Sequence, residues 1–121
     1  MGRILLFLGA ALLLTTAVIH ALGQPMIDGW LDGLSHTPKA AICLVWVTDS
    51  ISWAVVAALW AIAGWKPQPA WKSAAAVACA IPAITAAGII AIDATFFGAW
   101  MLVGSVALAT VGLVLFRRSP T

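Results

Sequence analysis

Charge is what this chain has least of. Of its 121 residues only 8% are charged and 64% are hydrophobic, whereas a soluble domain carries about 25% charged residues. A fold built in water would expose far too much apolar surface, so lipid is the expected solvent. The net charge is +2, and the basic residues lie singly or as one pair. That pattern excludes a nucleic-acid face, and no nucleic-acid partner is expected. Cysteine is equally scarce. Cys43 and Cys79 fall towards opposite faces of a membrane, and a disulfide needs Cα atoms within roughly 7 Å of each other. Both therefore read as small apolar packing residues. No CxxC or Cys/His spacing supports zinc or redox work, so neither a metal nor a cofactor is expected. The length leaves room for a single domain, 1–121.

What the chain has instead is long apolar runs. Four of them, 3–22, 38–64, 70–92 and 94–116, meet the requirement of about 20 residues for a spanning helix. The predicted fold is all-α: an integral membrane four-helix bundle, up-down-up-down. Thr37 and Pro38 suit a helix start, as cap and first helical residue. Lys66, Pro67 and Pro69 break the second span from the third. Only the Asp93 region parts the third from the fourth, which demands a tight turn with Asp93 capping the last helix.

Orientation follows from the basic residues. Arg3, Lys66, Lys72, Arg117 and Arg118 fall on one side, and Lys39 falls on the other with Asp28, Asp32 and Asp93. Both termini are then expected in the cytoplasm, in a multi-pass protein of the cell inner membrane. A competing reading makes residues 1–21 a cleaved signal peptide, although the apolar run is long and no clean A-x-A site follows it. In the 23–37 connection, Met26, Ile27, Trp30, Leu31 and Leu34 recur at helical spacing. They predict an interfacial helix over 25–34, with Asp28 and Asp32 solvated off its apolar stripe. The alternative is an ordinary loop.

Asp49 lies mid-way along the apolar run 40–63. From a helix start near Pro38 it is about 16 Å along the axis, close to the bilayer midplane. A carboxylate at that depth costs roughly 2.5–3.5 kcal/mol on insertion scales and marks a candidate site. Thr48, Ser50 and Ser52 make its surroundings the most polar patch inside any span. It reads either as a proton-exchanging or ligand-pairing group, or as a hydrogen-bonded lock between helices. Trp46, Trp53 and Trp60 repeat every seven residues, and Asp49 lies three after Trp46 and four before Trp53. Such an aromatic stripe with one carboxylate could line a cavity for an apolar or cationic guest, or the tryptophans could simply fill space. His20, near the outer end of the first span, is either a partner of Asp49 in proton transfer or an interfacial histidine bonded to the outer loop. Asp93 could share an outward-facing site with His20. The third and fourth spans look like packing elements, with Ala74, Ala78, Pro82 and Ala86, and then Ser105 and Ala109, at four-residue spacing. Pro82 should free a carbonyl that Thr85 could satisfy.

In size and plan the chain resembles the small multidrug resistance transporters. That family carries its essential glutamate in the first span, and this first span has no carboxylate, so no residue carries over. The stretches Ala17-Val-Ile-His-Ala-Leu-Gly and Val45-Trp-Val-Thr-Asp-Ser-Ile-Ser-Trp are similar to a group of uncharacterised small four-helix bacterial membrane proteins. These place a histidine late in span one and a Trp-plus-polar motif in span two. The likeness covers the first half of the chain and implies no reaction.

Three functions follow as expectations. One is an accessory subunit or binder of a small lipophilic guest, with Asp49, His20, Trp46, Trp53, Ser50 and Ser52 as the candidate ligand-binding residues. The second is a proton-coupled small-molecule transporter using Asp49. The third is an intramembrane, isomerase-like enzyme with His20 and Asp49 as acid and base. The implied partners are the lipid bilayer, a homo-oligomer or larger membrane complex, and a small lipophilic or cationic ligand.

Overall fold

Six helices follow the apolar runs in the computed structural model, which describes residues 1–66 and 68–117, the last of these by its backbone. They are α1 (Gly2–Leu22), α2 (Gln24–Trp30), α3 (His36–Trp65), α4 (Pro69–Ala78), α5 (Ala80–Ile92) and α6 (Phe97–Arg117). No strand occurs among the described residues. Four helical stretches are long and apolar enough to cross a membrane: Gly2–Leu22, His36–Trp65, Pro69–Ile92 and Phe97–Phe116. At 1.5 Å per residue α3 is about 45 Å long, more than the roughly 30 Å of bilayer hydrocarbon.

Local chemistry sets the ends and breaks. Ser35 occupies the N-cap position of α3 in extended conformation, without a side-chain capping bond, two residues before the expected Thr37 cap. Pro38 still sits in the first turn, where a missing N–H costs nothing. The apolar stretch Pro69–Ile92 is broken into α4 and α5 at Cys79, three residues before Pro82. Pro82 has no N–H to return to the carbonyl of Ala78, and its ring crowds that turn. Thr85 does not satisfy the freed group. Its hydroxyl donates instead to the carbonyl of Ile81, at 3.1 Å. The turn after α5 differs from the expected cap. Asp93 Oδ1 accepts the Thr95 N–H at 2.9 Å and the Thr95 hydroxyl at 2.6 Å. This local Asx-type turn postpones the helix start to Phe97.

Water does not drive helices together inside a bilayer, so close packing must. α1 packs against both α3 and α6. A Cβ added at Gly112 would lie 2.9 Å from the Gly2 carbonyl oxygen, and one at Gly9 would lie 3.0 Å from that of Ser105. Backbone meets backbone here, as only glycine permits. Leu6, Leu13, Val56, Trp60 and Leu102 are buried around this contact. The Trp60 indole N–H donates to the Ala75 carbonyl at 3.1 Å and ties α3 to α4.

Arg3 and Lys72 lie at one end. Arg3 Nε donates to the Gly64 carbonyl at 2.7 Å, and its Nη2 to that of Trp65 at 3.3 Å. Lys72 lies over the Phe116 ring, 4.2 Å from its centroid. Phe116 in turn backs onto Gly2. Pro67, Arg118 and the side chain of Arg117, which entered the expected break and orientation, lie outside the described residues.

At the other end, α2 is shorter than the expected 25–34 helix and stops at Trp30. Ile27 is its buried residue, while Trp30 is exposed. Asp28 is not a solvated charge. It is half-buried against α3, where Oδ1 accepts the Cys43 thiol at 3.0 Å and the Gln24 amide at 3.4 Å. Asp32 is exposed and pairs with Lys39 at 2.8 Å. Cys43 and Cys79 are both free thiols.

Candidate functional site

His20 stands in the last turn of α1. Gly23 directly follows that helix, and a Cβ there would lie 3.2 Å from both the Trp46 ring and the His20 carbonyl. A small residue is therefore needed for α1 and α3 to meet at this level. Trp46 closes the joint: its indole N–H donates to the His20 carbonyl at 2.7 Å. That carbonyl, in the last turn of α1, also accepts the Gly23 backbone N–H at 3.0 Å. The two rings then stack, with centroids 3.7 Å apart and planes 14° from parallel. One turn further along α3, Ser50 Oγ sits 2.8 Å from His20 Nδ1. Ser50 also lies 3.3 Å from the Trp46 carbonyl, which accepts its hydroxyl. Trp53 completes the cluster, tilted 60° to His20 at 4.7 Å between centroids.

This cluster forms one wall of a cavity of about 540 Å³, within the roughly 300–1,000 Å³ typical of small-molecule sites. α1 contributes Thr16, Ile19 and His20, and α3 contributes Trp46 and Trp53. The opposite wall comes from the end of α5, through Ile89 and Ile92, and from the start of α6, through Phe97 and Met101. Asp93 and Phe96 in the connecting turn lie at its edge, and Met26 of α2 covers one side. The lining is overwhelmingly apolar and aromatic. Asp93 is exposed, and the Thr95 hydroxyl, followed by the Thr95 backbone N–H, holds its carboxyl below the ordinary aspartate range.

Two polar atoms in this wall have no partner among the described residues. Trp53 is 2% exposed, and its buried Nε1–H meets no acceptor among the described residues. His20 spends Nδ1 on Ser50. Its Nε2 has no hydrogen-bond partner among the described residues.

Four of the six candidate residues, His20, Trp46, Ser50 and Trp53, therefore come together. Asp49 and Ser52 do not join them. Asp49 is half-buried and lines a separate shallow recess on α3 with Ala41, Ile42, Val45 and Trp46. No hydrogen bond links it to His20, whose Nδ1 is taken by Ser50, and no described residue donates to its carboxyl group. Ser52 is half-buried and makes no hydrogen bond among the described residues. Among the described residues no three His, Cys, Asp or Glu side chains converge to hold a metal ion. Sequence reading did not find Thr16, Met26, Ile89 or Met101 in the lining. Thr16, Ile89 and Met101 sit in apolar runs with nothing to mark them, Met26 stood out only as part of the interfacial stripe, and only the relative placement of helices reveals their role. The chain matches no protein-family model, no curated protein and no solved structure.

Proposed function

We propose that this chain is a membrane-embedded binder of a small lipophilic guest, held in the cavity between α1, α3, α5 and α6. The observation that supports this best is the cavity itself: a drug-sized apolar and aromatic chamber whose few polar atoms converge from His20 and Trp53. The site is centred on His20 and Trp53, with Asp49 beside it. Saturable quenching of tryptophan emission by 1-bromodecane in nanodiscs tests the reading. The double substitution Ile89→Phe and Met101→Phe, which fills the chamber, should abolish the saturable part. Quenching that rises linearly, as simple partition into lipid does, would refute guest binding.

The same reading carries a membrane frame: an up-down-up-down bundle in the inner membrane with both termini cytoplasmic. It is supported by the gathering of Arg3 and Lys72 at one end and of Asp28, Asp32 and Asp93 at the other. The cavity then opens towards the outer leaflet, and α2 lies in the outer interface. Assembly as a homo-oligomer or an accessory subunit of a larger complex is compatible with it.

A second reading rests on Asp49. A half-buried carboxylate with no described donor, on an outward recess of α3, suits a proton-coupled carrier that assembles through that face. It predicts that Asp49→Asn abolishes pH-dependent flux in liposomes while guest binding persists. The enzyme reading is the weakest of the three. His20 turns Nδ1 to Ser50, and no hydrogen bond links it to Asp49 as an acid–base pair needs.

A further inference from the structure

We infer that the guest is a flat lipophile carrying a carbonyl-type hydrogen-bond acceptor, and that Trp53 Nε1–H is the group that reads it. The inference rests on the guest-binding reading above and names the class of molecule that site would take.

An indole nitrogen is a donor only, so whatever satisfies Trp53 must accept. An unmade bond at a buried donor carries a desolvation penalty, and the surroundings of Trp53 give it no relief. Three of the other six tryptophans show how this fold supplies an acceptor where one is needed. Trp46, Trp60 and Trp100 all donate to backbone carbonyls, at 2.7, 3.1 and 2.9 Å. Trp53 is nearly as deeply buried as Trp60 yet has none among the described residues, and it lines the cavity beside Trp46. A lining residue with an unmade bond is where a guest can supply what the protein does not.

The walls define the rest of the molecule. His20 and Trp46 present stacked faces, and Phe96 and Phe97 lie across the chamber. Aromatic walls pack best on a flat or ring-bearing guest. The near-absence of charge in the lining disfavours an ionic headgroup. Trp53 Nε1 is enclosed by its neighbours, so the acceptor reaches it after a small shift of the wall. Two parts of the wall can make that shift. Met101 is unbranched with three rotatable bonds, and His20 is half-buried, held by Ser50 through one ring nitrogen. His20 Nε2 offers the same guest a second polar contact.

A matched pair of probes isolates the acceptor: 2-acetylnaphthalene and 2-ethylnaphthalene have nearly the same shape and differ by a carbonyl in place of a methylene. Both are titrated into the full chain in nanodiscs, with empty discs to correct for partition. The seven tryptophans give indole ¹H–¹⁵N resonances, and Trp53→Phe assigns the one that matters. The ketone should bind about two- to twelvefold tighter than the hydrocarbon, the gain of one net hydrogen bond. It should also move the Trp53 Nε1–H resonance downfield in the unmodified protein, and Trp53→Phe should equalise the two affinities. Equal saturable binding of both probes, with no ketone-specific shift at Trp53, would overturn the acceptor class and leave guest binding standing. Ketone preference that survives Trp53→Phe would overturn the assignment to Trp53. Failure of both probes to saturate would overturn the guest-binding reading itself.

Discussion

Replacing Gly112 with alanine should force α1 and α6 apart. The new Cβ would lie 2.9 Å from the Gly2 carbonyl oxygen, 3.0 Å from the Leu6 nitrogen and 3.2 Å from Leu5 Cβ. Two of these are backbone atoms of a helix and cannot turn aside. Ordinary contact needs about 0.5 Å more, and a gap of that size forfeits about a quarter of each dispersion well along the seam. Leu6, Leu13, Leu102 and Leu113, all nearly or fully buried, depend on such contacts because lipid supplies no hydrophobic drive between helices. Overpacking of this kind costs about 1–3 kcal/mol. Alanine also returns about 0.8–1 kcal/mol of helix propensity over glycine, so the net loss should be about 0–2 kcal/mol. Gly88 provides the control, being helical with open space where its Cβ would go. Gly88→Ala should keep the propensity gain and stabilise by up to about 1 kcal/mol. Unfolding in mixed micelles of increasing sodium dodecyl sulfate, followed by circular dichroism, measures both. If Gly112→Ala stabilises as much as Gly88→Ala, the close approach of α1 and α6 is wrong.

Three further outcomes follow from other joints of the fold. Trp60→Phe removes the bond to the Ala75 carbonyl and leaves unfilled volume beside α4, and should cost about 1–3 kcal/mol in the same titration; a neutral result would deny that α3 and α4 are tied there. Arg3→Ala removes the donors to the Gly64 and Trp65 carbonyls and should cost about 1 kcal/mol, with Arg3→Lys recovering only part because an ammonium lacks the guanidinium fork. Equal loss in both variants would support the fork, and full recovery by Lys would reduce Arg3 to a simple charge. Asp93 titrates below the ordinary carboxylate value, so its contribution to the α5–α6 turn is complete above about pH 4 and fades as pH falls through the lowered value. The Thr95 amide ¹⁵N shift should therefore titrate with a midpoint under about 3.9, and a midpoint at or above it would contradict the bond to Asp93.

How far the chain could be read without coordinates depended on which forces act locally. Apolar runs longer than a bilayer is thick, a Pro-rich break and a short polar interruption are local signals, and they mark the four apolar helical stretches. Pro82 likewise announced trouble in the third stretch, since a missing N–H always falls on the carbonyl four residues back. What it could not announce was the partner, and Thr85 chose the nearer Ile81 carbonyl. The glycines of the α1–α6 seam were silent for a related reason. Gly2, Gly9 and Gly112 are three of ten glycines, and nothing but the facing helix distinguishes them from Gly88.

The site shows the same limit at finer grain. Residues three and four apart are both said to share a helix face, yet at 3.6 residues per turn they differ in angle. Measured from Trp46, Ser50 lies about 40° to one side and Trp53 about 20° to the other, while Asp49 lies about 60° off, beyond Trp53. His20 meets α3 between Ser50 and Trp53. Asp49 is left on the shoulder, turned too far to line the chamber. The most conspicuous residue of the sequence is therefore a neighbour of the site. The centre belongs to a histidine at the end of one span and a tryptophan whose only peculiarity, an unused N–H, appears once the helices are placed around it.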